Sequence, residues 1–360
     1  MRIFLISNMY PSSDDPDYGV FVQNIEQALE KNGAVISEKA VISGRAISAF
    51  DKIKKYKKFY AEIFKAYRKG NFDLIYLHFI SHSSPGLILA KTFFGKKKKF
   101  IVNVHGSDVL IHHKGILKNC NQKLLKQTDL LVVPSSYFKT IITEKFPDFP
   151  VQKIYVSPSG GIDAQVFYPQ KKSEDETSLH LGFVSRIEDD KGWKTFLKAL
   201  VILKENAIPF KTSIAGKGSK LTDLESFITQ HNLKKEVDYL GILPQTDLNS
   251  LYNNLDLFIF PTYSSESLGL VGLEAMSCGT PVVGSEIAGL KTFIKNKQNG
   301  LFFTPGNEKE LAEKIIFYYH LSADQKTEMK QKALQTAQNY NKDKVAKKLY
   351  QQFKKLIAQT

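Results

Sequence analysis

The sequence predicts an α/β chain of two Rossmann-like domains, and three observations lead there. Short apolar runs alternate with segments of helical periodicity. The series opens at Met1-Arg2-Ile3-Phe4-Leu5-Ile6-Ser7 and opens again at Leu179-His180-Leu181-Gly182-Phe183-Val184, the rhythm of strand–helix units around a parallel sheet. Between the two series lies Gln170 to Ser178, charged and without apolar side chains, the composition of a linker. A length of 360 residues is enough for two cores of ordinary size.

Composition narrows the function. The two cysteines, Cys120 and Cys278, stand far apart without CxxC spacing or histidine partners, which argues against a disulfide framework or zinc site and fits a reducing compartment. The first apolar run is too short for a signal peptide, and no run of 18 apolar residues occurs, so the expectation is a cytoplasmic protein without a spanning segment. Net charge is +14, and residues 1–169 hold 24 Lys/Arg against 14 Asp/Glu, so +10 of it falls there. Such an excess suits nucleic acid, anionic lipid or acidic substrates. No zinc-finger spacing, RNP-type motif or heptad array accompanies it, so no nucleic-acid partner is expected.

In the first half, the strand Ile3–Ser7 leads through a polar loop to Gly19. A helix follows to Lys31, with Ile25 and Leu29 inward and Gly33 as its stop. Phe50 to Lys69 carries Phe50, Ile53, Tyr56, Tyr60, Ile63, Phe64 and Tyr67 at helical spacing among many lysines. Two readings stay open: a core-packed helix with a solvated lysine face, or a basic amphipathic helix lying on an anionic membrane, with Phe50, Tyr56, Phe59 and Tyr60 outward. Asp73–His78 is a strand and Pro85–Phe94 a helix; Lys96–Lys99 form a basic turn. The strand Phe100–Val104 ends in His105-Gly106-Ser107-Asp108, at the carboxyl end where open α/β sheets bind ligands. His112 and His113 match no pattern and read as surface residues. Asp129–Val133 is a further strand, with a helix starting at Ser135–Ser136, and Ile154–Pro158 follows.

The second half holds the chemistry. After Leu179–Val184, Arg186 and Lys191 stand five apart in a loop that opens the helix Thr195–Lys204; two cations beside a helix N-terminus suit a diphosphate. Thr212–Ala215 leads into Gly216-Lys217-Gly218, and Tyr239–Leu243 comes next. Leu257–Phe260 then reads as a buried strand, Thr262–Gly269 as a loop, and Leu270–Cys278 as a helix stopped by Gly279 and Pro281. A loop opening a helix presents N–H groups and the positive end of a dipole to an anion. Glu266 lies before that helix and Glu274 about one turn inside it, so both line one cleft and offer acceptors to sugar hydroxyls. Taken alone, such a pair equally describes a solvated helix residue and a charge complementing the dipole. Val282–Gly289 is a strand and turn, Asn299–Phe303 a last edge strand, and Lys309–Thr360 is helical.

Glu266 and Glu274, eight apart with Gly269 between and Ala275 to Val283 behind, resemble the glutamate-x(7)-glutamate signature of family 4 glycosyltransferases. Further matches are His105-Gly-x-Asp108, Ser159-Gly160-Gly161-Ile162-Asp163 with Phe167-Tyr168-Pro169, Arg186 with Lys191-Gly192, and Gly216-x-Gly218. The chain has a single Gly19 where many members have paired glycines, Ser159 where Asn is usual, and Ser185 where Gly is usual. The resemblance implies the GT-B fold: two facing Rossmann-like domains with a cleft between them and a final helix crossing back. Residues 1–169 would form the acceptor side, 170–340 the nucleotide-sugar side, and 341–360 the returning helix. It implies retaining, metal-independent transfer with no bound cofactor, a nucleotide-diphosphate sugar (UDP or GDP) serving as co-substrate. It assigns catalysis to His105, Arg186, Lys191 and Glu266. Donor binding falls to Gly19, Asp108, Gly216, Leu243, Ser267, Leu268, Gly269, Leu270 and Glu274, with no metal ligands. The implied acceptor is a glycan, lipid-linked or part of a growing surface polysaccharide, met at an anionic membrane through residues 50–69 on the inner face of the plasma membrane. The alternatives are a nucleotide-sugar epimerase on the same fold and a basic membrane-binding module without catalysis.

Overall fold

The computed structural model describes residues 1–16, 18–95, 98–106, 108, 115–171 and 178–359. Lys96, Lys97, Ser107, His112, His113 and most of the segment read as a linker lie outside them. The chain forms two compact units, Met1–Gly161 with Lys342–Thr360, and Ile162–Asn341.

The first unit begins with β1 (Arg2–Tyr10), α1 (Val20–Lys31), β2 (Val35–Ser43), α2 (Ala49–Lys69), β3 (Leu74–His78) and α3 (Ile80–Phe94). It continues through β4 (Lys99–Asn103), α4 (Gly115–Lys126), β5 (Leu130–Val133), α5 (Ser136–Lys145) and β6 (Ile154–Val156). All strands are parallel, in the order β2-β1-β3-β4-β5-β6. Helices cover both faces, so a central strand such as β1 is a continuous apolar run, Ile3 to Ile6, with no exposed surface.

Three local features depart from the sequence reading. β2 was not read as a strand, because Ser37-Glu38-Lys39 interrupts its apolar residues at the sheet edge and only Ala40 and Ile42 are buried. α3 begins five residues before Pro85. The proline sits inside the helix, and the Ser84 hydroxyl donates to Ser81 O at 3.0 Å, partly replacing the N–H that proline lacks. In α2, Phe59 is buried, Tyr56 and Tyr60 pack against the core, and Tyr60 Oη donates to His82 O. The outward aromatic face is therefore corrected to Phe50 alone, since burying three rings is worth more than exposing them.

The second unit carries β7 (Leu179–Val184), α6 (Trp193–Glu205), β8 (Phe210–Ala215), α7 (Leu221–Gln230), β9 (Val237–Tyr239) and α8 (Gln245–Asn254). Then come β10 (Leu257–Phe260), α9 (Leu270–Ser277), β11 (Val282–Ser285), β12 (Gly300–Phe303), α10 (Glu308–Tyr319) and α11 (Ala323–Gln338). Its parallel sheet has the order β12-β11-β10-β7-β8-β9. From its own first strand this is the doubly wound dinucleotide-fold order.

The units divide at 161/162, eight residues before the expected 169/170. Side chains explain the shift. Phe167 packs into the second core, Asn249 Oδ1 accepts from Tyr168 N at 3.1 Å, and Ser277 Oγ donates to Phe167 O at 2.9 Å. Ser159, at the crossing, sits at φ 41°, a left-handed conformation for which Asn is better suited than Ser. The last helix, α12 (Lys342–Ala358), belongs to the first unit. Leu349 and Phe353 join Val22, Ile25 and Leu29 of α1 in one core, and the Phe353 ring meets Tyr76 at 4.9 Å.

Candidate active site

In the second sheet the chain winds outward from β7 in one direction and from β10 in the other. Loops leaving the carboxyl ends of these neighbours diverge, and the gap is where ligands bind in such sheets. Ser185 to Gly192 follows β7, and Pro261 to Gly269 follows β10. Asp190 O accepts from Tyr263 N at 2.8 Å and from Thr262 Oγ1 at 3.2 Å, tying the two loops together. Across that tie Lys191 Nζ lies 2.6 Å from Glu266 Oε1, 3.1 Å from Ser264 Oγ and 3.4 Å from Asp190 Oδ2. Arg186 is exposed near the start of the first loop. Gly269 opens α9 in the left-handed region, φ 89°, and as a glycine brings no side-chain cap to that N-terminus. Lys191 and Glu266 thus meet at the carboxyl ends of two central strands, with the start of α9 in the same loop as Glu266 and Arg186 in the same loop as Lys191.

The glycines there are steric requirements. A Cβ on Gly192, the φ 75° residue that opens α6, would sit 1.8 Å from Pro261 O. On Gly216 it would sit 1.8 Å from Ser185 O, and on Gly218 it would sit 2.1 Å from Ile187 O. The Gly216-x-Gly218 turn therefore passes directly against the loop bearing Arg186. Gly216 N donates to Gly241 O at 2.7 Å and Gly216 O accepts from Tyr239 Oη at 2.7 Å, so both its backbone groups are held by the segment at the end of β9.

Glu274 lies inside α9, its Oε2 3.3 Å from Tyr252 Oη, and burial pushes its carboxyl up to about 7. Cys278, one turn on, is pushed up to about 12 by burial and by Glu274, which leaves an inert thiol. Leu268 is buried and Leu243 is partly buried against the same core. The sequence reading found Glu274 but missed Tyr252, and found Lys191 but missed Ser264. Their partners come from distant segments, and no spacing in the chain reports them.

In the first unit the winding reverses between β1 and β3. Gly19 opens α1 at φ 74°, where a Cβ would meet Met9 C at 2.5 Å. His105 follows β4, between the rings of Phe79 at 4.6 Å and Phe21 at 4.7 Å. Its Nε2 lies 2.9 Å from Nδ1 of His78, the last residue of β3. Burial holds His105 down at about 3 and His78 well below its usual value, its cause also burial, so both rings are neutral. Asp108 is turned inward. Its Oδ1 accepts from His105 N and Gly106 N, each at 3.0 Å, and burial pushes the carboxyl up to about 6. It also takes a backbone hydrogen bond from Ile80, the first residue of α3, so it braces the turn that carries His105 against that helix. His78 had no assigned role; a histidine closing an otherwise apolar strand was the available signal.

Two family models match the chain: Glycosyltransferase Family 4 over residues 20–165 and Glycosyl transferases group 1 over residues 165–336. The D-inositol 3-phosphate glycosyltransferase of Paenarthrobacter aurescens (strain TC1) is 31% identical over 180 residues, 47% of this chain and 44% of that protein. The chain thus spans about half the length of that curated relative. Among solved structures, sucrose-phosphate synthase from Thermosynechococcus elongatus superposes with a TM-score of 0.78 at 17% identity, covering 100% of both chains. Anabaena Alr3699/HepE in complex with UDP gives 0.75 at 18%, covering 99% of this chain and 100% of that one. At such identities the likeness establishes the fold.

Proposed function

The chain belongs to the family 4 glycosyltransferases, and we propose that it moves a sugar from a nucleotide-diphosphate donor to an acceptor hydroxyl with retention. One observation carries the reading: Lys191 Nζ meets Glu266 Oε1 at 2.6 Å between the loops that leave β7 and β10, the first bearing Arg186 and the second opening α9. Two cations and N–H donors match a diphosphate leaving group, whose developing charge they stabilise. The acceptor oxygen bonds to the anomeric carbon as the bond from that carbon to the phosphate oxygen breaks, and the acceptor proton passes to the departing phosphate. No enzyme base or metal ion is needed in this scheme. Glu266 accepts hydrogen bonds from the donor sugar and Glu274 from the ribose. Ser267 to Leu270 border the phosphates, the Leu243 segment lies along the base, and Gly216 holds the Arg186 loop. In the first unit Gly19 opens α1 and His105 follows β4, with Asp108 supporting the His105 turn.

The UDP bound to the Anabaena protein favours uridine over guanosine. For the acceptor we favour a lipid-linked or growing surface glycan, because the charge excess sits in the first half and Ile47, just before α2, is exposed with Phe50 and Ile53 of α2 among lysines. Peripheral attachment at the inner membrane face follows from that choice.

The test is a panel of UDP- and GDP-sugars, with and without glycan acceptors, read by released nucleotide and by the anomeric configuration of the product. Transfer predicts a retained product that forms only with acceptor and persists in EDTA. An isomerised sugar without acceptor would establish the epimerase instead. Loss of turnover in EDTA, restored by Mg²⁺, would overturn metal independence.

A further inference from the structure

His78 and His105 share one hydrogen. Their planes differ by 15° and their centroids are 5.2 Å apart, while Nδ1 of one lies 2.9 Å from Nε2 of the other. Near-parallel rings with so short an N···N distance meet edge to edge, as an N–H···N bond requires. Each neutral imidazole carries a single N–H, so which ring donates fixes the tautomer of both.

The far side of His78 decides. That residue is fully buried, and its Nε2 has no hydrogen-bond partner among the described residues. If His105 donated, the hydrogen of His78 would sit on this sealed Nε2, leaving a buried N–H unsatisfied at a cost of about 1–3 kcal/mol. A lone pair there is the milder defect. We propose that His78 is a positioning residue: it donates its Nδ1–H to His105 Nε2 and so holds His105 in the Nδ1–H tautomer, a hydrogen-bond donor toward an oxygen of the sugar substrate.

The surroundings fit this division of labour. Phe21 and Phe79 fix the ring of His105, and Asp108 fixes its backbone through His105 N. None of these sets the tautomer, whereas His78 does. His105 is partly exposed, and Nδ1 is its remaining polar edge. The substrate half of the proposal rests on the glycosyltransferase reading; the tautomer half does not.

Nitrogen-15 histidine spectra of the full chain read the tautomer without any substrate. Wild type should show His105 protonated at Nδ1. His78→Phe keeps an apolar ring but no donor, and should lose the single Nδ1–H form. His78→Gln restores an N–H and should recover it. Turnover with the donor found in the panel should fall about tenfold in His78→Phe, the worth of one hydrogen bond, and return in His78→Gln. Wild-type His105 protonated at Nε2, or an unchanged tautomer in His78→Phe, would overturn the proposal. The expected spectra in a chain that turns over no nucleotide sugar would leave the positioning role standing and remove only the reaction.

Discussion

At the residue scale, Lys191 already has a carboxylate, Glu266, at 2.6 Å. Under the proposed reading, a diphosphate at this ammonium competes with Glu266 for its N–H donors, and any donor it takes loosens the carboxylate toward the sugar. Arg186, the second cation of the proposal, is exposed. Replacing either with Ala should lower kcat/KM by about 10²-fold, about 2.7 kcal/mol of transition-state binding. Near-normal steady-state kinetics in both variants would remove them from the reaction. Glu274 makes a separate, pH-dependent prediction. Burial raises its carboxyl from 4.5 to about 7, so between those values the folded chain binds more protons than the unfolded one. Stability contributed by this group is complete below about pH 4.5, declines as pH rises through about 7, and is level above; the loss is of order 2 kcal/mol after allowing for partial exposure. Glu274→Gln should therefore melt higher than wild type at pH 8 and alike near pH 4.5, while the donor KM rises modestly for lack of charge. Parallel melting curves at both pH values would refute the buried-carboxylate account.

At the element scale, the loops after β7, β8 and β10 act as one because their backbones touch. Gly192 lets Pro261 O approach the start of α6, and Gly216 lets Ser185 O approach the β8 turn. A methyl group at position 192 meets backbone on one side and a left-handed φ on the other. Gly192→Ala should destabilise the second unit by about 3 kcal/mol, the sum of modest strain and overpacking. Denaturant midpoints measure this, and a loss below about 1 kcal/mol would show that the loop yields. The Gly-x-Gly turn was legible in the sequence as a pattern. Its reason, two carbonyls from a separate loop, was not.

At the scale of the whole molecule, most of the charge excess lies in residues 1–169, and no helix of the described residues is long and apolar enough to cross a membrane. The proposed docking by α2 would rest on its first turns and on Ile47 just before them. Ile47 is 94% exposed and Phe50 78%, beside exposed Lys54, Lys57 and Lys58. Lys55 is otherwise engaged: its Nζ donates to the carbonyls of Ser43, Gly44 and Arg45, each at 3.0 Å. Each lysine near an anionic surface is worth about 1 kcal/mol, so three support only reversible binding. Sedimentation with anionic vesicles at low salt should capture wild type. It should capture much less of a variant with Lys54, Lys57 and Lys58 changed to Gln, and less of Phe50→Ser. Equal recovery of all three would make α2 an ordinary solvated face and point to a soluble acceptor.

Strand and helix periods, the second start at Leu179 and the cations around Lys191-Gly192 were fixed locally, since side-chain period and turn chemistry are properties of neighbouring residues. Those features determined an α/β chain with two sheets and an anion-suited edge. Tertiary structure decided what depends on distant segments meeting. It turned the α2 aromatics inward, moved the unit boundary to 161/162 through Asn249 and Ser277, and turned Asp108 under its own backbone. It also brought His78 against His105 and Tyr252 against Glu274, pairs separated by 27 and 22 residues. Burial and partner identity, which set the charge and tautomer of these groups, exist only once the sheets have formed.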